Sequence, residues 1–155
     1  MAPVSIDVLD QDTLAEAVAK ARDVDREEAL YQTGKPIEDA LWNTYSMSTN
    51  AYAGRWKGDL VTIWGVADIA PLEGIGQPWL VATDEIYSVR VPFLYNCCYY
   101  LNELKQNYDH LFNVVWEENK TAVQWLGWLG FELQEATPIG PYQKQFIRFE
   151  WSKNV

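Results

Sequence analysis

The sequence has few of the residues that would tie it to nucleic acid, to a metal or to an oxidising compartment. Its 12 basic residues against 22 acidic ones leave a net charge of −10, so a phosphate backbone would repel it and we expect no nucleic-acid partner. There is one histidine, His110, and no Cys/His spacing resembles a zinc site, so we expect no metal. The two cysteines, Cys97 and Cys98, are adjacent, which disfavours a disulfide between them and predicts a reduced, intracellular chain.

Long hydrophobic runs are also missing. The longest apolar stretches are far shorter than the ~20 residues of a membrane-spanning helix, so we expect no membrane partner. The first residues, MAPVSIDVLDQD, lack a basic region followed by an apolar core, and we therefore expect no secretion signal.

What the sequence does have is enough apolar material for one folded domain. It is 155 residues long and 48% hydrophobic, which predicts a single domain over residues 1–155. Hydrophobic periodicity predicts the order β-α-α-β-β-β-α-β-α-β-β, an α/β (α+β) mixed sheet with helices on both faces. Asp10 or Asp12 is expected to cap the first helix, and the acids of residues 25–28 and 117–118 to be solvated surface.

Three neighbouring segments precede and open the predicted long helix. Residues 70–77 contain one proline and two glycines and are predicted to be a loop. Residues 79–83 form a short apolar run typical of a buried strand. Residues 84–90 are predicted to be a polar connection, after which Pro92 opens a long helix.

Residues 119–131, N-K-T-A-V-Q-W-L-G-W-L-G-F, have a more specific pattern. Asn119 can cap a helix, Ala122 lets that helix approach a sheet, Gly130 suits the turn after it, and Phe131 starts the next strand in the core. This stretch resembles the strand, Asn, short helix, Gly-Phe, strand signature of the GNAT acyltransferase superfamily. The resemblance implies a GNAT-like acyl-CoA N-acyltransferase fold.

A closer resemblance extends over residues 40–151. The segments G-I-G-Q-P-W-L-V-A-T-D-E and P-I-G-P-Y-Q-K-Q-F-I-R-F-E are similar to GNAT-like proteins of short-tailed bacteriophages. Members of that family are internal virion or virion-assembly proteins, and some carry an acetyltransferase label. This resemblance implies a protein of the host cytoplasm during infection and of the virion.

The superfamily's reaction implies a slot between the strands at residues 79–83 and 111–116, which receives pantetheine. It also implies a glycine-rich turn that binds pyrophosphate at the start of the following helix, and a general acid, often tyrosine. If acetyl-CoA binds, the resemblance assigns it the residues Leu80, Val81, Ala82, Arg90 and Asn119.

Two departures from this pattern argue against catalysis. Residues 84–92 contain no glycine, and Asp84 and Glu85 bring negative charge towards a polyanionic ligand. Leu126 occupies the position of the family's tyrosine, and a leucine cannot donate a proton. Tyrosines elsewhere in the chain are candidates to replace it: Tyr95, Tyr99 and Tyr142. We therefore assign no catalytic residue and expect no cofactor, with acetyl-CoA as the alternative.

Aromatic residues are abundant, with eight tryptophans and nine tyrosines. Such residues are favoured as anchors of protein contacts, although core packing explains them equally well. The candidate interaction residues are Trp56, Trp64, Trp125 and Trp128.

Three hypotheses follow from the sequence. The first is a GNAT-fold bacteriophage protein with a degenerate coenzyme site that serves in virion structure or assembly through contacts with other virion proteins. The second is an active acetyl-CoA-dependent N-acetyltransferase that modifies a host protein or a small amine. The third is a binding module that inhibits a host protein. The sequence leaves a homo-oligomer open in each case.

Overall fold

The computed structural model describes residues 3–153, apart from the side chains of residues 90–92 and 94. The elements, in chain order, are β1 (Val4–Val8), α1 (Gln11–Lys20), α2 (Asp23–Thr33), α3 (Ile37–Ser46), β2 (Ser48–Trp56), β3 (Asp59–Ala70), a 3₁₀ turn (Pro71–Glu73), β4 (Ile75–Ala82), α4 (Ile86–Lys105), β5 (His110–Trp116), α5 (Lys120–Trp128), β6 (Glu132–Ile139) and β7 (Lys144–Ser152). The mixed α/β architecture expected from the sequence is confirmed. Three helices, α1, α2 and α3, precede β2, whereas the predicted order had two.

The strands described in residues 3–153 form one seven-stranded sheet in the order β1-β2-β3-β4-β5-β7-β6. β4 and β5 are parallel, whereas the other neighbouring strands are antiparallel. The parallel pair therefore lies in the middle of the sheet, between an N-terminal and a C-terminal antiparallel block.

Helices cover both faces of this sheet, and β4 shows the division. Val81 packs in one buried cluster with Leu14 of α1 and Leu41 of α3. The next residue, Ala82, packs in another cluster with Phe93 of α4, since successive strand side chains point to opposite faces. We call the side that carries α1–α3 the first face and the side that carries α4 and α5 the second face.

β4 is longer than the sequence suggested. Residues 70–77 were expected to be a loop, but β3 runs to Ala70 and β4 begins at Ile75. Gly76 lies inside the strand, where a Cβ atom would come within 2.5 Å of Val66 Cγ1 and 2.7 Å of Tyr108 Cε1. This glycine therefore marks a close packing contact and not a turn.

α4 begins earlier than predicted, at Ile86, so residues 84–90 are not simply a polar connection. The helix is interrupted at Val89, whose φ of −129° and ψ of 17° are not helical. Pro92 offers no N–H to the carbonyl of Ser88, which explains an interruption one turn before the proline. Among residues 3–153, no helix combines the length and apolar character needed to cross a membrane.

Two helix ends follow the chemistry read from the sequence. The Oδ1 of Asp10 accepts a 2.8 Å hydrogen bond from the N–H of Thr13, which confirms the cap of α1. α2 ends at Gly34, whose backbone is left-handed with φ of 78°.

Candidate functional site

The two parallel strands in the middle of the sheet separate soon after they meet. They pair at Ile75 with His110 and at Gly76 with Leu111. β4 then continues to Ala82 and β5 to Trp116 without further pairing to each other. The sheet is therefore split along the carboxyl-terminal parts of both strands.

A side-chain amide spans the gap at the point where it opens. Asn113 Nδ2 on β5 donates a 2.8 Å hydrogen bond to the carbonyl of Pro78 on β4. Pro78 has no N–H to offer a neighbouring strand, so β4 cannot continue a normal ladder at this position. The sequence of β4 thus contributes directly to the split.

The split contains a cavity of about 340 Å³ that reaches both faces of the sheet. On the first face its walls come from α2 and α3, and on the second face from α4 and α5. We call this cavity the tunnel. The N–H of Ala82 points into the gap, where it donates to Asp25 Oδ2 at 3.0 Å. The backbone of Leu80, two residues earlier on the same strand, faces the same way.

A buried ion pair lies beside the tunnel at the start of α2. The guanidinium of Arg22 donates two 2.9 Å hydrogen bonds to the two carboxylate oxygens of Asp25. Both residues are less than 5% exposed. Asp25 also receives the Ala82 N–H, so its carboxylate is occupied by structural partners.

Glu28 lies one turn further along α2 and is bound more loosely. Its Oε1 accepts a 2.7 Å hydrogen bond from the N–H of Trp116, the last residue of β5. Its Oε2 receives only a long contact, 3.5 Å, from Asn119 Nδ2. Burial, assisted by the negative charge of Asp25, raises the pKa of Glu28 to about 8. Glu28 is therefore the candidate among the described lining residues for proton exchange near neutral pH.

Comparison with known proteins gives a match in structure. No protein-family model and no curated protein matches the sequence. Among solved structures, a variant of the spermidine N-acetyltransferase of Vibrio cholerae superposes with a TM-score of 0.68 at 14% identity, over 97% of this chain and 94% of that one. A ribosomal-protein α-N-acetyltransferase in complex with coenzyme A gives 0.71 at 8% identity, over 98% and 95%. An aminoglycoside N(6′)-acetyltransferase of Legionella pneumophila gives 0.70 at 8% identity, over 98% and 93%.

The chain has the GNAT fold. The resemblance in residues 119–131 is therefore confirmed at the level of the fold. Nothing in these comparisons points to a phage or virion-protein family, so that part of the expectation stays a prediction.

The GNAT fold places the residues assigned to acetyl-CoA unequally around the gap. The backbone of Leu80 faces the opening, whereas the N–H of Ala82 is already bound to Asp25. Val81 lies between these two, and its carbonyl accepts a 2.9 Å hydrogen bond from Thr62 Oγ1 of β3. Arg90 lies at the start of α4, with its side chain outside the described part of the structure.

Asn119 precedes α5, as the signature predicts, but its side chain does not cap the helix. Its amide instead points to the buried acids, 3.5 Å from Asp25 Oδ1 and 3.5 Å from Glu28 Oε2. A capping Asn would accept a helical N–H at Oδ1, but here the side chain is oriented by the acids, which both accept from its Nδ2.

The four tryptophans proposed as an interaction surface lie in different environments. Trp64 is only 6% exposed and packs against Tyr100 of α4, with ring centroids 5.8 Å apart. Trp56 and Trp125 are partly buried against the cluster around Phe93. Trp128 is 51% exposed, so a contact surface on these residues can only centre on it.

The turn before α4 carries no phosphate-binding cradle in the residues described. The N–H groups of Ile86 and Tyr87 donate to the carbonyls of Thr83 and Asp84, so they are engaged in the turn itself. Asp84 and Glu85 are both exposed there. In the structure, as in the sequence, this turn therefore differs from the glycine-rich, phosphate-binding turn of the GNAT superfamily.

The tunnel also lacks the family's tyrosine among the residues that line it in the described part of the chain. Leu126 lies in its wall, and the three substitute tyrosines, Tyr95, Tyr99 and Tyr142, are each more than half exposed. Cys97 does line the tunnel, but burial, together with Cys98, raises its pKa to about 12 and keeps it a thiol.

Sequence reasoning missed the acids of α2. The expectation that residues 25–28 form a solvated surface is wrong for Asp25, which is 3% exposed, and for Glu28 in the tunnel wall. The available signal was spacing: Arg22, Asp25 and Glu28 recur every three residues, on one stripe of a helix.

Proposed function

We propose that this protein is an N-acyltransferase that transfers an acyl group from a coenzyme A thioester to a primary amine. The observation that carries the proposal is Glu28, a proton-exchanging carboxylate in a tunnel that crosses the sheet at the split between β4 and β5. A cavity lined by helices of both faces offers room for two ligands that meet inside the sheet. The acetyltransferase neighbours with the same fold support this function over a purely structural role.

Glu28 supplies the acid–base chemistry of this reaction. An amine is protonated in neutral water, and Oε2 of Glu28, which holds only the long 3.5 Å contact from Asn119, can bind its ammonium group. The same carboxylate then accepts a proton, because its pKa of about 8 lies close to the pH at which it works. The product is a neutral amine, which is the nucleophilic form.

Leu80 supplies a second function from the open edge of β4. Its N–H faces the gap and is a suitable donor to an acyl oxygen on which negative charge develops. A bound thioester would supply the acyl group: its C–S bond breaks as the C–N bond of the amide forms, the sulfur leaves with the electron pair as a thiolate, and the proton lost by the amine nitrogen balances it as free thiol. Asn113 and Pro78 hold the two strands at the near end of the gap and so fix where this donor stands.

The residues present fit one part of coenzyme A better than the other. The second-face half of the tunnel is lined by apolar groups such as Leu101 and Leu126, which suit an acyl-pantetheine arm. The phosphate end would lie near the start of α4, where Asp84 and Glu85 are exposed. We therefore expect weaker binding of coenzyme A than a glycine-rich turn would give.

The test is release of free thiol from acetyl-CoA in the presence of small amines, combined with thermal unfolding with and without acetyl-CoA. We expect amine-dependent thiol release. We also expect stabilisation of about 2.7 kcal/mol when acetyl-CoA is present at 100 times its dissociation constant. The proposal would be overturned if millimolar acetyl-CoA gave no amine-dependent thiol release and also no shift in the unfolding temperature.

A second candidate is a protein-contact role, within a bacteriophage virion or against a host protein in the host cytoplasm. The observation that favours it is an exposed aromatic pair, Trp128 of α5 and Tyr95 of α4, with ring centroids 5.7 Å apart. Trp128→Ala would weaken such a contact and leave amine acetylation unchanged. Loss of acetylation in this variant would assign Trp128 to the enzyme instead.

A further inference from the structure

The tunnel has a distinct acceptor half, whose composition bears on what kind of amine the protein takes. Under the proposed function, coenzyme A approaches along α4, on the second face, and the amine therefore enters from the first face. The walls of that half come from α2, α3 and β4 and include Thr33, Ile37, Ala40, Thr44 and Trp79. Each of these side chains is uncharged.

Charge is concentrated at one point of the tunnel. Among the described residues that line it, those charged by type are Arg22, Asp25 and Glu28. Arg22 and Asp25 neutralise each other through their paired 2.9 Å hydrogen bonds. The ionised form of Glu28 thus leaves one uncompensated negative charge, which balances one ammonium group.

A second ammonium on the same acceptor would have no carboxylate partner among the described residues that line this half of the tunnel, where Gln32, Asn43 and Gln77 offer neutral amide oxygens. Burying an unpaired charge is far more costly than burying an apolar group of the same size, because the lost hydration is not replaced. Ile37 and Trp79 instead offer apolar surface to the body of the acceptor.

The overall charge of −10 acts in the opposite direction but at longer range. It attracts polycations to the surface, yet surface charges are screened over about 8 Å at physiological salt. The composition of the tunnel therefore decides which amine reacts, and the surface charge affects mainly the rate of encounter.

We infer that the acceptor is a monoamine, with a single primary ammonium that meets Glu28 and an uncharged, mainly apolar body that lies between α2, α3 and β4. This inference rests on the proposed function and specifies its substrate class. The tunnel's 340 Å³ is at the small end for a ligand site, so part of a longer acceptor would extend from the first face.

The test compares hexylamine with 1,6-diaminohexane, which have the same chain length and differ in one terminal ammonium. With the full chain and saturating acetyl-CoA, we expect kcat/KM for hexylamine to exceed that for the diamine by about tenfold or more. An equal or higher value for the diamine would overturn the monoamine inference while leaving the proposed function standing. If the protein acetylated neither of these amines and no other amine tried, both the monoamine inference and the proposed function would be overturned.

A designed reversal strengthens the test. Asn43 is exposed where α3 meets the tunnel, and Asn43→Asp adds a carboxylate of nearly the same shape. We expect this variant to raise kcat/KM for the diamine relative to hexylamine. The matched control is Asn102→Asp on the exposed surface of α4, outside the tunnel lining, which should leave the ratio unchanged. If Asn43→Asp and Asn102→Asp gave the same ratio of kcat/KM for the diamine to that for hexylamine, the inference that the acceptor lies beside α3 would be contradicted.

Discussion

The backbone N–H of Trp116 donates a 2.7 Å hydrogen bond to Oε1 of Glu28, which joins the end of β5 to the middle of α2. This contact orients the carboxylate and leaves Oε2 towards Asn119 at 3.5 Å. The hydrogen bond at Oε1 fixes the position of the Glu28 side chain, while Oε2, with only a long contact, stays available to accept a proton.

Glu28→Gln should abolish most of the acyl transfer. Glutamine keeps the shape of the side chain and cannot accept the amine proton, so we expect kcat/KM to fall by about 10²-fold or more. In the wild-type protein the rate should rise with pH up to about 8, as Glu28 ionises, and that rise should disappear in the variant. The measurement is a pH–rate profile, with Glu27→Gln at the exposed neighbouring position as control.

Stability should depend on pH through the same carboxyl group. The folded pKa of Glu28 is raised from 4.5 to about 8, so the folded state holds a proton that the unfolded state releases. The resulting stability is present below pH 4.5 and is lost as pH rises through about 8. Asp25 and Arg22, which form an ion pair with each other, are the charged groups that face Glu28.

Glu28→Gln should remove this dependence. The melting temperature of the variant should equal or trail that of the wild type near pH 5 and exceed it near pH 8, by about 2–4 °C for each kcal/mol. Thermal unfolding from pH 5 to 8.5 measures this. Parallel curves for the two proteins would show that Glu28 carries no raised pKa.

Neutralising the turn before α4 should tighten coenzyme A binding. Asp84→Asn with Glu85→Gln removes two exposed negative charges near the expected phosphate end, and we expect the Kd for acetyl-CoA to fall by about tenfold. Asp12→Asn with Glu132→Gln changes the net charge equally at exposed positions elsewhere. If calorimetry gives the same gain for both pairs, the effect belongs to overall charge and not to this turn.

Two glycine substitutions should have opposite effects on stability. At Gly54 a new Cβ would clash with Cε1 of Phe93, so Gly54→Ala should destabilise the protein by about 1–3 kcal/mol. Gly127 lies within α5, where the nearest contact of a Cβ is 3.7 Å from Leu133 Cδ1. Gly127→Ala should stabilise by about 0.5–1 kcal/mol. Denaturant unfolding measures both, and a neutral Gly54→Ala would contradict the close packing of α4 on β2.

The sequence was most informative where one local pattern decides the structure. Asp10 could be recognised as a cap from its place before an apolar stripe, and the segment around Asn119 carried the fold signature. It was least informative where the deciding contact is distant in sequence. Gly76 resembles a loop residue until Val66 and Tyr108 are packed against it.

The candidate site depends almost wholly on such distant contacts. Asp25 is held by Ala82, 57 positions away, and Glu28 by Trp116, 88 positions away. A run of acidic residues at the start of a helix gives no sign that two of its members meet the ends of two separated strands. The raised pKa of Glu28 follows from that tertiary placement and could not be read from the run itself.

Because β4 and β5 pair over only two residues each, the sheet consists of two blocks of strands, β1–β4 and β5–β7, joined at one short stretch. Ile75 and Gly76 of β4 make this pairing with β5. At the opposite end of the split, α2 is hydrogen-bonded through Asp25 to β4 and through Glu28 to β5. α2 thus bridges the carboxyl-terminal ends of β4 and β5 and helps to set the distance between them. A ligand that draws Glu28 away from Trp116 would remove the hydrogen bond between α2 and β5 and leave the one between α2 and β4, so binding in the tunnel would change how α2 connects the two strands.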